Sequence, residues 1–305
     1  NYIKDKVPAK WELLLPASAY ASASAQDIKA IKPISGMVTG FPYVLSKENI
    51  NSILVTAWGT AFTLDTALEA ARSMKLGQGD TPDVLGISLS SHDLLGHSYG
   101  PYSIEMQDMT LRQDRMLSEF LFQLQKQIPG GLKNTVFVLT ADHGVTASLH
   151  AGQSNKANTG SFQRHTLQAR VNEYLGKKYK TQINFVLFSQ ESNLYLDHSA
   201  IEKEKLNVTD VARTLAAWMR SEPEFVGAYS KEDLFEGKIA PNQISKLMAN
   251  SVHPKRSGDI VYAARPGFFE YGDEQVNGSE HEGPHAHDRT VPISFVGPQF
   301  KSGRF

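Results

Sequence analysis

Three short stretches of this sequence gather acidic residues and histidines. Asp93 and His97 lie in SSHDLLGHSYGP, Asp142 and His143 in TADHGV, and His281, His285 and His287 in HEGPHAHDRTVPISFVG. The first two clusters each directly follow an apolar run that reads as a strand. Imidazole nitrogen with carboxylate oxygen suits zinc, and several carboxylates can hold a second divalent ion close to the first. With zero cysteines, thiolate sites and disulfides are excluded, and any metal must take nitrogen and oxygen ligands. Each cluster alone has a plainer reading. An Asp-x-x-x-His can be a helix cap with a solvent-facing histidine one turn later, and TADHG can be a strand end with a polar turn. Two clusters placed alike after two strands favour a metal site over two unrelated turns.

The elements that must position these residues are legible as periodicities. TLDTALEAARSMK (63–75) carries apolar residues at helical spacing, GQGDTP supplies a turn, and DVLGISLS (83–90) reads as a strand covered on both faces. A long helical pattern follows over 102–128, with Ile104, Met106, Leu111, Met116, Phe120 and Leu124 roughly on one face, and Pro-Gly-Gly at 129–131 ends it. NTVFVLT (134–140) is a second apolar run. Strand, helix, strand requires a crossover and hence a parallel pair, which makes the class α/β. Ligands in open α/β sheets collect outside the carboxyl ends of strands, so neighbouring strands would bring the two clusters together. Further strands are expected at INFVLFS, SNLYLD, GDIVYAA and VPISFVG, and helices at QRHTLQARVNEYLG and NVTDVARTLAAWMRSE. Residues 1–55 show no sustained period and read as irregular surface structure without a function.

Bulk properties narrow the partners. Among 305 residues, 31 basic and 32 acidic side chains nearly cancel, so no nucleic acid and no anionic membrane surface is expected as a partner. No apolar run reaches the roughly 20 residues of a membrane helix, and no targeting segment is visible. The chain opens without Met and stops just after a strand-like run, as a mature or fragmentary product would. Asp108, Arg112, Asp114 and Arg115 are expected to form exposed or intra-helix pairs. Thr56, Thr60 and Thr159 read as structural hydroxyls, His150 and Lys156 as surface groups, and Asn207-Val-Thr and Asn277-Gly-Ser as chance matches to the glycosylation pattern.

The segments SSHDLLGHSYGP, TADHGV and HEGPHAHDRTVPISFVG resemble, in order, the metal-binding motifs of the alkaline-phosphatase superfamily, including its nucleotide pyrophosphatase/phosphodiesterase branch. Through GPYSIEMQDMTLRQDR and HPKRSGDI the chain is most similar to the secreted bacterial phosphate-irrepressible alkaline phosphatases, over about residues 60–296. The resemblance implies a three-layer sandwich around a mainly parallel central sheet, with the N-terminal strands and the nucleophile segment outside this chain. The 305 residues would be the C-terminal portion of a single catalytic domain, with 1–55 an irregular segment and 56–305 the metal-binding core. It also implies two divalent ions, zinc foremost. Asp93, His97 and His281 would hold one, with His285 and His287 as alternatives to His281; Asp142 and His143 would hold the other.

The implied activity is hydrolysis of phosphate monoesters through a phospho-enzyme, releasing inorganic phosphate, in the periplasm or outside the cell. The nucleophilic Thr or Ser has no counterpart here, so no catalytic residue is assigned, and a missing N-terminal half of the same protein is an expected partner. Two other readings stand beside this one: a phosphodiesterase or nucleotide pyrophosphatase, and a non-catalytic metal- or phosphate-binding fragment.

Overall fold

A computed structural model describes residues 2–20, 40–46, 48–148, 159–272, 278–301 and 303. The chain divides into two compact units. The first comprises Asn1–Asp142, Asn277–Ser279 and Val291–Phe305, the second His143–Val276 and Glu280–Thr290.

The first unit is built on helices. Ala57–Ser73 and Ile104–Gln127 pack through Leu64, Ala67, Ala71, Phe120 and Leu124, all of them buried. The long helix starts where Ser103 accepts the Met106 N–H, a capping bond that satisfies one of the free donors of the first turn. Between these helices lies the short helix Ser91–Tyr99, which ends at Gly100 with φ 76°.

The expectation of irregular surface for residues 1–55 is corrected by this unit at its described residues; 1, 21–39 and 47 lie outside them. Val7, Trp11, Tyr43, Leu45 and Ile53 are buried together with Leu95, Tyr99, Met106 and Met109. Lys10–Trp11 and Tyr43–Val44 pair as a small antiparallel ribbon. Apolar residues here come singly among Pro, Ser and Lys, so no period announces them; they are buried by aromatic contacts such as Trp11 against Phe41, 5.1 Å between centroids. Asp108 is corrected in the same way. Its carboxylate is fully buried and accepts from Trp11 Nε1 (2.6 Å), Tyr20 Oη (2.6 Å), the Leu14 N–H (2.7 Å) and Arg112 Nε (2.6 Å). Only the Arg112 pair is the expected intra-helix one.

Residues 83–90 form no strand, and Val84 is 93% exposed. Phe137–Thr140 is a strand, but its described neighbour is the late strand Ile293–Val296, running antiparallel. The expected parallel pair between 83–90 and 134–140 is therefore not found among the described residues. A continuous apolar run specifies cover on two faces and carries no information about which strand supplies the hydrogen bonds.

The second unit holds a four-stranded antiparallel sheet in the order Val186–Gln190, Asn193–Leu196, Ile260–Ala264, Phe225–Ser230. Arg164–Tyr179 and Val208–Met219 cover it with Leu167, Val171, Leu175, Val211, Leu215 and Met219. Asn207 caps the second of these helices through the Asp210 N–H, which gives the first glycosylation-like triplet a structural role. One parallel pair, Gly160–Gln163 with Phe268–Tyr271, is the only parallel ladder among the described residues. Among the described residues, no helix is long and apolar enough to cross a membrane.

Candidate functional site

In the first unit Asp93 and His97 stand one turn apart on Ser91–Tyr99, so the helix itself sets them side by side. Asp93 Oδ2 lies 3.3 Å from His97 Nε2. That span is what two donors about 2.0–2.1 Å from one ion subtend at a tetrahedral angle. The His97 ring is oriented from behind: Nδ1 is 2.8 Å from the Ser279 carbonyl, and the Ser279 N–H donates to the His97 carbonyl at 3.1 Å. A carbonyl only accepts, so Nδ1 carries a proton and Nε2 is the nitrogen that faces Asp93. Neighbouring His92, held below its ordinary pKa by burial, bonds Thr110 at 3.1 Å.

Asp142 is exposed and is the last residue of the first unit before Val291 and the 277–279 segment rejoin it; a peptide bond joins it to His143, which opens the second unit. His143 Nδ1 lies 2.9 Å from the Gly144 carbonyl, which fixes the same tautomer as in His97. The His143 and His281 rings stack with centroids 3.3 Å apart and planes 14° from parallel. Of the alternatives to His281, His285 places its Nε2 2.7 Å from the Ala264 carbonyl and His287 its Nε2 3.5 Å from Asp288 Oδ1.

The residues on either side of this stack are tied together. Gly144, Val145 and Thr146 donate their backbone N–H groups to the carbonyls of Asp288, His287 and Glu280 at 2.7, 3.1 and 2.9 Å. A Cβ on Gly144 would lie 2.0 Å from the His287 carbonyl oxygen, so only glycine permits this approach. Beside His281, burial pushes the Glu282 carboxyl up to about 8, and repulsion from Glu270 and Glu280 adds to it while Arg164 opposes.

The sequence pattern did not single out Ser279, Thr146, Asp288 or Glu282. Gly144, directly after Asp-His, is the one visible signal of the close approach. Thr56 and Thr60 are fully buried, and Thr56 Oγ1 donates to the Ile53 carbonyl at 2.6 Å, as structural hydroxyls do. His150, Lys156 and Asn277 lie outside the described residues.

Comparison with known proteins matches residues 26–288 to the type I phosphodiesterase / nucleotide pyrophosphatase family. Alkaline phosphatase PafA of Elizabethkingia meningoseptica is 30% identical over 99% of this chain and 56% of its own length. Alkaline phosphatase PhoV of Synechococcus elongatus is 27% identical over 96% of the chain and 52% of its own. The crystal structure of wild-type PafA superposes with a TM-score of 0.87 at 29% identity, over 96% of this chain and 56% of that one. The α/β fold is thus shared, and the chain spans about half the length of the curated relatives it matches.

Proposed function

This chain belongs to the type I phosphodiesterase / nucleotide pyrophosphatase family, and from that premise we propose that it carries the metal-binding part of a two-zinc phosphate monoester hydrolase. Asp93, His97 and His281 hold one ion, and Asp142 and His143 contribute to the other. The nitrogen and oxygen donors, the 3.3 Å Asp93–His97 span and the tautomers set by the Ser279 and Gly144 carbonyls all fit zinc.

The observation that carries the two-ion reading is the ring stack. A ligating lone pair lies in the plane of its imidazole. Two rings 3.3 Å apart and 14° from parallel cannot both aim in-plane lone pairs at one ion about 2.0–2.1 Å away. The stack thus supports assigning His143 and His281 to different ions. When bound, such a pair stabilises charge on the attacking and leaving oxygens of an in-line displacement. The chain's own residues present neutral Nε2 atoms, and protons compete for them in acid.

The monoester preference is supported by the relatives named as alkaline phosphatases, and the phosphodiesterase reading by the name of the family. On this reading the nucleophilic Thr or Ser and the rest of the single catalytic domain are supplied by sequence outside this chain, which spans about half the length of its relatives. The ribbon of Phe137–Thr140 and Ile293–Val296 keeps Val138 46% and Phe295 48% exposed, and we propose that this missing part covers it. The 305-residue chain alone should then self-associate in sedimentation, and a longer form carrying that part should not. The likeness to alkaline phosphatases PafA and PhoV supports a periplasmic or secreted protein.

Elemental analysis of the purified protein tests the metal. One tightly held zinc, lost in His97→Ala, and a second, weaker one, lost in His143→Ala, are expected. Absence of stoichiometric metal would refute the reading. Turnover of a mono- against a bis-aryl phosphate by a longer form that carries the nucleophile, rising from neutral to alkaline pH and abolished by chelator, tests the substrate class; preference for the diester would reverse it.

A further inference from the structure

We propose that Asp288 is a positioning residue for His143 and His281, its carboxylate fixing the segment that follows one ring against the segment that follows the other. The inference rests on the reading that these two rings bind metal.

Asp288 is 6% exposed and sits on the short helix Ala286–Arg289. Its Oδ2 accepts the Gly283 N–H at 2.9 Å, and its Oδ1 accepts the Thr146 hydroxyl at 3.3 Å, with His287 Nε2 at 3.5 Å. Gly283 is two residues beyond His281, and Thr146 three beyond His143. One carboxylate thus bonds the chain behind both rings. The Asp288 carbonyl adds the bond to the Gly144 N–H, one residue from His143.

The stack needs such a fixture because neither ring stands on a regular element; residues 141–148 and 278–284 are loop. Both Asp288 oxygens already accept, Oδ2 from the part-buried Gly283 N–H and Oδ1 from the buried Thr146 hydroxyl. Thr146 is 3% exposed, so its hydroxyl has no ready exchange with water when the carboxylate is removed. Groups behind metal ligands that set their orientation typically change metal affinity by 10- to 100-fold when replaced.

The test compares wild type, Asp288→Ala, Asp288→Asn and Thr146→Val, each as the same chain. Zinc affinity is read by chelator competition well below the thermal transition, and ligand geometry by the visible absorption of the cobalt(II)-loaded protein. Asp288→Ala is expected to weaken zinc about 10- to 100-fold and to alter the cobalt band. Asp288→Asn keeps an acceptor for Thr146 but opposes an N–H to that of Gly283, so an intermediate loss is expected. Thr146→Val keeps the shape, removes one bond and should lose affinity least, and it serves where Asp288→Ala fails to fold. Lower thermal stability with unchanged zinc affinity and cobalt band in all variants would overturn the positioning role and leave the metal reading intact. Wild type that binds neither zinc nor cobalt would overturn both, which separates the two failures.

Discussion

The two pairs of candidate ligands are held by opposite means. Asp93 and His97 share one helix, where a spacing of four fixes their separation whatever the rest of the chain does. His143 and His281 stand 138 positions apart on loops and meet only because backbone bonds and the Asp288 carboxylate tie residues 144–146 to 280–288. The contrast teaches that the mutual placement of Asp93 and His97 should be insensitive to packing elsewhere, whereas what His143 and His281 each contribute to their own ion should follow that packing closely.

The largest effect expected is in the first unit. Asp108→Ala strips four donors of their buried acceptor and leaves Arg112 unpaired, which should cost about 3–5 kcal/mol in urea unfolding. Zinc affinity measured below the transition should stay within a few-fold, and a large parallel loss would break the contrast. Gly144→Ala should cost about 3 kcal/mol, because its Cβ would press on the His287 carbonyl, and here zinc affinity should fall together with stability. An alanine that binds zinc like wild type would show that the loop geometry is not critical.

Ser279→Pro removes the N–H bonded to the His97 carbonyl and should cost about 2 kcal/mol, while Ser279→Ala, which keeps both backbone bonds, should restore zinc binding. Equal losses in the two variants would assign the effect to the hydroxyl instead.

The smallest effect concerns pH. Burial raises the Glu105 carboxyl above its ordinary value, against the lowering effect of the Tyr43 hydroxyl, which donates to it at 2.6 Å. A raised folded pKa gives stability that is complete below the ordinary carboxyl range and is lost as pH rises through the folded value. Glu105→Gln should flatten that decline, and an unchanged slope would trace it to another group.

Much of the architecture was legible. The period of 3.6 announced Ala57–Ser73, Ile104–Gln127, Arg164–Tyr179 and Val208–Met219, and apolar runs announced Val186–Gln190, Asn193–Leu196 and Ile260–Ala264. Residues 83–90 misled because their pattern speaks of cover and not of pairing. Trp11, Tyr43 and Asp108 were illegible because isolated aromatics and a helix-face carboxylate look the same whether solvated or buried.

Sequence alone determined the donor chemistry: no thiolates, a carboxylate and an imidazole one helical turn apart, and an Asp-His pair closed by a glycine. Those are properties of residue type and of near neighbours, which chain geometry fixes locally. Only the tertiary structure decided that His281 stacks on His143 while His285 and His287 bond elsewhere, and that Ser279 and Asp288 stand behind the rings. Three histidines within seven residues are equivalent in composition, and they become distinct only when the fold sets His285 on the Ala264 carbonyl and His287 beside the Asp288 carboxylate.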